Sequence, residues 1–440
     1  MKWSRYNILF ESISNGWLLY NSVSNSFVQM DGGTAKVVLD VSMNPNMDFS
    51  NMPSLYFRLR MGGFLVEDMG DDNSFNSIKM RRLVSNYSDE ILSLTIAPTK
   101  ACNFACKYCY ELDRVKSDMS DEVIVKIKQF IEKHSLVRKL EITWYGGEPL
   151  LELEKIRVIN RGIAETGKKY DSFIITNGFC LNKKTRDLLD ELKVSRIQIT
   201  LDGTRETHDK RRHLLEGGGT YDTIVSNIDG LMKSSWSGRL LIRVNIDKQI
   251  KTEFLDVYKF IEDRYPEKFN KQIEVYPGFL YDYDNQKNDL FLDSKEKGSF
   301  VVAAAREHGV IALPVFPRNY PIGGCLATKK NSYMIGPDGE LYKCWVDLGN
   351  IKESVGSIVP NATWNTSLIA ESVVGASYLD DAECIKCAFF PLCDGGCPKV
   401  RMQNNRDMGS RDVCSYFKEY AKELLEIHYE QRVLQKPISS

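Results

Sequence analysis

The chain has almost no net charge and no long apolar run. Its 440 residues carry 58 basic and 59 acidic side chains, a net charge of −1, so there is no global electrostatic case for nucleic acid or an anionic membrane as partner. No uninterrupted apolar stretch approaches the ~18 residues of a membrane-spanning helix, and the opening Met1-Lys-Trp-Ser-Arg-Tyr6 lacks the apolar core and cleavage site of a signal peptide. The expected location is the cytoplasm. Disulfides are disfavoured for the same reason. The eleven cysteines are an odd number and the cytosol is reducing, so metal ligation is the better reading of them. What the chain does have is ordinary: 43% hydrophobic residues, enough for two or three domains with real cores.

Three of the cysteines fall together in Cys102-Asn-Phe-Ala-Cys106-Lys-Tyr-Cys109, directly after the apolar run Leu92 to Ala97. Three thiolates on a short loop hold three irons of a 4Fe-4S cube, whereas a closed cluster takes four cysteines, so one iron is left for another ligand. A zinc knuckle or buried free cysteines are the other readings of the triad alone. Zinc motifs usually pair cysteines as two CxxC-like halves, and no fourth ligand lies nearby.

Residues 1–90 look separate from the rest of the chain. Tyr6 to Phe10, Trp17 to Asn21 and Ser26 to Met30 read as three short strands between Asn/Gly/Ser turn signals, followed by two weakly helical stretches and Met61-Gly-Gly-Phe-Leu-Val66. From residue 91 to about 290, short apolar runs alternate with amphipathic stretches, the pattern of βα units and a parallel sheet. The strand candidates are Leu92 to Ala97, Leu140 to Trp144, Phe173 to Thr176, Ile197 to Leu201, Leu240 to Ile246 and Ile273 to Pro277. Between the first two, a helix is expected over Ser120 to His134, with Ser120 as N-cap and Val123, Ile124, Ile127, Phe130 and Ile131 on one face. Six units fit a partial barrel, with functional groups at the C-terminal ends of the strands, where the triad sits. Residues 291–324 read as a bridge containing a helical stretch around Phe300 to Ala305. Residues 325–414 are cysteine-dense, and 415–440 hold a helix from Tyr416 to Gln435. The glycine-rich Glu216 to Thr220 is a loop, since it neither follows a strand nor carries GK[ST].

The CxxxCxxC spacing, with Tyr108 before the last cysteine, resembles the signature of the radical S-adenosylmethionine (SAM) superfamily. Tyr145-Gly-Gly-Glu-Pro149, after the second strand, matches that superfamily's GGEP motif. The resemblance implies that SAM chelates the open iron and is cleaved to a 5′-deoxyadenosyl radical that removes a hydrogen atom from substrate. It places Tyr108, Gly146, Gly147, Glu148, Thr200 and Asn245 around SAM, with one of the arginines Arg211, Arg212 and Arg243 on its carboxylate. The first 90 residues are similar in pattern to winged-helix-like peptide-recognition elements, whose exposed strand edge suits an extended leader peptide.

In the tail, Cys325, Gly339 to Cys344, Cys384-Ile-Lys-Cys387, Cys393 to Cys397 and Cys414 have the spacing C…Gx4C…Cx2Cx5Cx3C…C. This resembles a SPASM domain, the auxiliary-cluster extension of radical SAM enzymes; a double zinc ribbon divides badly into seven ligands. The resemblance assigns Cys384, Cys387, Cys393 and Cys414 to one auxiliary cluster and Cys325, Cys344 and Cys397 to another, whose fourth ligand is open. Three 4Fe-4S clusters are thus expected, and Cys180 is left as a buried free thiol. The implied fold is α/β: a partial (β/α)6 barrel with a small N-terminal winged-helix-like domain and a C-terminal cysteine-rich SPASM domain. The implied function is maturation of a ribosomally synthesised peptide by oxidative C-C, C-S or C-O crosslinking, fed by a flavodoxin- or ferredoxin-type reductant. Alternatives are an anaerobic sulfatase-maturating enzyme forming formylglycine, and a non-catalytic iron-sulfur or zinc module. Asp202, Asp209 and Asp347 are the candidate general bases.

Overall fold

Alternating apolar and polar residues with tight Asn/Gly turns make hairpins, and the first such stretch folds that way. The computed structural model describes residues 1–111, 115–281, 283, 290–310, 324–360, 362–406 and 411–434. The chain divides into two units, Met1–Asn86 with Asp293–Cys325 and Ala376–Ser440, and Tyr87–Leu292 with Leu326–Gly375.

In the first unit, β1 (Lys2–Trp3) is followed by an antiparallel meander of β2 (Asn7–Ser12), β3 (Gly16–Asn21) and β4 (Ser26–Met30), in the order β2-β3-β4. Gly16 enters β3 at φ +67°, a conformation that favours glycine. Leu19 and Met30 pack on Ala35, Val38 and Val41 of the helix Gly32–Met43. Asp31 starts that helix by accepting from the Thr34 amide. After the helix Pro53–Met61, β5 (Leu65–Val66) pairs antiparallel with β1, and the helix Gly70–Asn86 comes next. Tyr6 and Ile78 share a core with Leu379 and Phe390, so the small N-terminal sheet and the cysteine-rich tail are packed together. The stretch expected around residues 300–305 is the helix Ser294–His308, opened by an Asp293/Glu296 capping box and closed by Gly309 in the left-handed conformation. The last helix is shorter than its periodicity suggested, Ala421–Leu434 rather than from Tyr416. The preceding turn is held by Tyr420, whose ring lies where a side chain on Gly298 would project. Gln435 lies outside the described residues.

In the second unit, β6 (Ile91–Ile96), β7 (Lys139–Trp144), β8 (Lys169–Thr176), β9 (Val194–Thr200), β10 (Arg239–Ile246) and β11 (Ile273–Phe279) pair in parallel, each with the next. Leu92 to Ile96 are all buried, as expected of a strand covered on both faces. The helix Asp121–Lys133 has Ser120 as N-cap and buries Val123, Ile124, Ile127, Phe130 and Ile131, as the sequence pattern requires. Three strands of this sheet escaped the pattern. β12 (Ser332–Ile335) adds in parallel to β6 and leads into β13 (Glu340–Tyr342) and β14 (Gly356–Ser357), giving a nine-stranded sheet in the order β11-β10-β9-β8-β7-β6-β12-β13-β14. Of the region expected at 325–414, Leu326–Gly375 therefore belongs to the unit of the barrel sheet, whereas Cys325 and the residues from Ala376 onward belong to the first unit.

Glu426 ties the first unit together. Its buried carboxylate accepts from Ser12 Oγ and the Ser14 amide and pairs with Arg306. Glu426→Ala should cost about 2–3 kcal/mol, because it strips partners from a half-buried arginine and a backbone N–H. Glu426→Gln should recover part of this, and denaturant unfolding that shows no loss for the alanine variant would refute the role.

Candidate active site at the strand ends

The cysteine triad leaves the end of β6 on a loop gripped from both sides. Lys100 N–H donates to Ser117 O at 2.9 Å, and the Thr99 hydroxyl accepts from the Ala101 amide at 2.8 Å. On the other flank, Ala105 N–H donates to His213 O at 3.0 Å and Leu215 N–H to Asn103 O at 2.9 Å. The glycines after β7 press on the same loop. Gly147 N–H donates to Thr99 O and Glu148 N–H to Ala101 O, at 3.2 and 2.9 Å. A Cβ on Gly146, whose φ is +121°, would lie 2.3 Å from Thr99 O, and one on Gly147 would lie 2.2 Å from Ala101 O. Backbone packs on backbone here, so the missing side chains hold the cysteine loop in place.

Glu148 is fully buried and saturated. It accepts from Thr176 Oγ1 and the Asn177 amide, both at 2.7 Å, and from the Leu150 amide at 3.1 Å. It welds the end of β8 to the glycine turn. Asn177, which no sequence pattern singled out, donates to Asn103 Oδ1 at 2.8 Å and faces Cys102 Sγ at 3.9 Å. Its only signal was an Asn at a strand's C-terminal end.

Burial pushes the Cys102 thiol up to about 12, helped by the charge of Glu148, and burial raises Cys106 as well. Thiolates at these positions need a cation to hold them, and metal binding must release protons. Cys109 is exposed. Arg212 is buried, and its Nε has no hydrogen-bond partner. This is a cation aimed at a site that wants anionic ligands, so the residues fit an iron-sulfur cluster with a charged co-ligand. Among the described residues, no three His, Cys, Asp or Glu side chains converge closely enough to hold a single metal ion.

Behind the triad lies a charged network. Tyr108 OH donates to Asp202 and accepts from Arg212 Nη1 at 2.5 Å and Asn245 Nδ2 at 2.9 Å. Asp202, fully buried, also accepts from the Asn245 amide at 2.8 Å, while Arg211 pairs with Asp247 at 2.8 Å. Arg243 Nε takes up Asn245 Oδ1. Thr200 is buried at the end of β9, opposite Arg243 in the ladder. His208 completes the floor. The Asp202 amide donates to its Nδ1 at 3.0 Å, so the proton is on Nε2 facing Thr220 Oγ1, whose hydroxyl donates to Arg212 O.

The candidate bases separate. Asp209 caps the helix Tyr221–Met232, accepting from the Thr220 and Tyr221 amides at 2.7 and 2.9 Å. Asp202 is committed to the network above. Asp347 is buried on the short turn Trp345–Asp347, where the Trp345 ring stacks on Tyr145 at 5.1 Å and its Nε1 donates to Thr95 Oγ1.

In the tail, burial raises Cys384, Cys393 and Cys414; the charge of Cys393 adds to the first, and that of Cys387 to the other two. These four thiols are electrostatic neighbours. The Gly395 amide donates to Cys393 Sγ at 3.2 Å. Cys325 and Cys397 lie in the first unit and Cys344 in the second. Cys180 is half-buried, its thiol pushed up to about 11 by burial and by Glu148.

Residues 96–261, which span the triad, the glycine turn and the charged network, match the radical SAM superfamily. This segment is a radical SAM domain. The superfamily's domain brings with it a 4Fe-4S cluster and SAM, and sets aside a non-catalytic module. The chain is similar to the cysteine-type anaerobic sulfatase-maturating enzyme of Clostridium novyi, 24% identical over an alignment of 387 positions, gaps included, that covers 78% of this chain and 98% of the relative. It is also similar to the radical SAM cyclopropyl synthase TigE of Paramaledivibacter caminithermalis, 20% identical over an alignment of 468 positions, gaps included, that covers 96% of this chain and 95% of the relative. Among solved structures, native anSMEcpe with bound AdoMet and Kp18Cys peptide superposes with a TM-score of 0.59 at 20% identity, over 78% of this chain and 98% of that one, so the two share a fold.

Gly147→Ala should displace the loop before Cys102 and lose iron from the first site, read as iron content and the cluster's EPR signal after anaerobic reconstitution; full loading would sink the packing argument. Burial and the neighbouring Arg211 and Arg212 hold His208 well below the usual imidazole range. The unfolded chain therefore binds the extra proton, and stability should fall as pH drops below about 6.5, by up to ~1.4 kcal/mol per pH unit. That slope should be smaller in His208→Asn, and an equal slope in both proteins would contradict it.

Proposed function

We propose that this enzyme matures a ribosomally synthesised peptide, removing a hydrogen atom from a side chain or Cα and completing an oxidative C-C, C-S or C-O crosslink. The observation that carries the reading is one of coverage. The similarity to the C. novyi enzyme takes in nearly all of that relative yet leaves about a fifth of this chain unmatched, whereas the similarity to TigE spans 96% of it. The first unit's N-terminal sheet, with β2 and β4 at its edges, suits a leader peptide that adds as a further strand.

Bound cluster and SAM supply hydrogen-atom abstraction. Cys102, Cys106 and Cys109 would hold the iron, and the Gly146-Gly147 turn keeps their loop against the strand ends. Arg212 balances the anionic ligands and is the candidate partner of the SAM carboxylate. Tyr108, Thr200, Glu148 and Asn245 order the strand ends around it. In the tail, Cys384, Cys387, Cys393 and Cys414 would hold an auxiliary cluster, whose chemistry when bound would be electron acceptance, and Asp347 is the remaining candidate for the accompanying proton. The count of three clusters rests on the seven-cysteine spacing. A flavodoxin- or ferredoxin-type protein is the reductant. No helix among the described residues is long and apolar enough to cross a membrane, and the balanced charge gives no electrostatic case for nucleic acid or an anionic membrane as partner.

The second reading is oxidation of a sulfatase Cys or Ser to formylglycine, favoured by the 98% coverage of the C. novyi relative. Co-expression with small peptides encoded beside the gene, followed by mass spectrometry, separates the two. A crosslink should remove two hydrogen atoms from one peptide, and Cys102→Ala should abolish both this change and SAM cleavage. Unchanged peptides, together with oxidation of a sulfatase Cys or Ser, would transfer the assignment to the second reading.

A further inference from the structure

Two arginines hold the cysteine loop of the tail, and neither belongs to any cysteine motif. Arg401, on the helix Pro398–Asn405, spends its guanidinium on three parts of the loop. Its Nε donates to Gly395 O at 2.6 Å, Nη1 to Asp381 Oδ2 at 2.9 Å and Nη2 to Cys384 Sγ at 3.3 Å. Asp381 in turn accepts from the Glu383 and Cys384 amides, so one ion pair fixes both the backbone and the sulfur of Cys384. Arg82 reaches the loop from the helix Gly70–Asn86. It is only 6% exposed and lies between the Tyr378 and Phe390 rings, at 5.0 and 5.1 Å from their centroids. Its Nη2 donates to Cys393 O at 2.9 Å and Phe390 O at 3.2 Å, while its buried Nη1 has no hydrogen-bond partner. A buried, partly unsatisfied cation costs stability unless negative charge resides beside it; the Asp394 carboxylate and the Cys393 sulfur both lie within the field of Arg82. Gly396 brings in the last ligand: a Cβ there would meet Val413 O at 2.0 Å, so the residues leading to Cys414 lie directly on the loop.

We propose that Arg401 and Arg82 are positioning residues that raise the reduction potential of the auxiliary cluster on Cys384, Cys387, Cys393 and Cys414. The inference rests on the reading of those four cysteines as cluster ligands. An N–H donated to a ligand sulfur and a cation in a desolvated setting both stabilise the reduced, more negative cluster over the oxidised one. A cluster that takes an electron from substrate needs that bias. Because Arg82 belongs to the N-terminal segment, the unit that carries the candidate peptide-binding sheet also sets the electron acceptor's potential.

The test uses the full chain with Cys102, Cys106, Cys109, Cys325 and Cys344 changed to Ala, so that the remaining cluster signal comes from the four-cysteine set. Iron and sulfide are assayed after anaerobic reconstitution, and the midpoint is read by EPR-monitored redox titration. Arg401→Gln should keep its iron and hold about tenfold less reduced cluster at a fixed potential, a shift of ~59 mV to more negative values for a one-electron couple. Arg401→Lys should recover part of the shift, and Arg82→Met should move the same way. Iron-loaded Arg401→Gln and Arg82→Met proteins with unchanged midpoints overturn the proposal. So does loss of iron from both Arg401 variants with an unmoved midpoint in Arg82→Met, which would make the arginines folding braces. A background protein that binds no iron overturns the cluster reading itself, before any arginine is changed.

Discussion

Contact of the Gly146-Gly147 turn with the Thr99–Ala101 backbone is the constraint on which the first site depends. Two carbonyls approach positions that any Cβ would occupy, at 2.3 and 2.2 Å. The turn after β7 therefore docks on the loop after β6 and donates two amides to it. Glu148, fully buried beneath, extends the same fastening to the end of β8. Three consecutive strand ends are locked before any ligand arrives, and the cysteines inherit their positions from that lock.

Charge does the rest. A buried ion is tolerated when its partners are supplied in full, and the floor behind the triad supplies them by chaining Asp202, Tyr108, Arg212 and Asn245 through direct hydrogen bonds. The neutral His208 holds that floor to the Asp202 backbone without adding charge. What the network leaves open is on the arginine side, where Arg212 Nε lacks a partner. An unsatisfied cation beside buried thiols is suited to an anionic cluster with a carboxylate-bearing co-ligand, the arrangement expected of a radical SAM enzyme.

The tail repeats the theme with different parts. Its cysteine loop contains two glycines at positive φ, Gly395 and Gly396, and is held by guanidinium groups from two helices far apart in sequence. The shared core of Tyr6, Ile78, Leu379 and Phe390 makes that reach geometrically possible. The N-terminal sheet is thus packed into the same unit as the four thiols.

The sequence by itself determined the six parallel strands, the capped helix after Ser120 and the meander at the front, and it set the spacing of the cysteines, because period, cap chemistry and residue spacing are local and written in adjacent residues. It did not show β12, whose four residues become a strand only by adding to the edge of β6. Nor did it separate Asp209, a helix cap, from Asp347, or reveal that the GGEP glycines serve the cysteine loop. Asn177, Arg82 and Arg401 were invisible for the same reason. Their roles arise from contacts between segments up to some three hundred residues apart, and only the packing of the folded chain decides which buried polar group meets which partner.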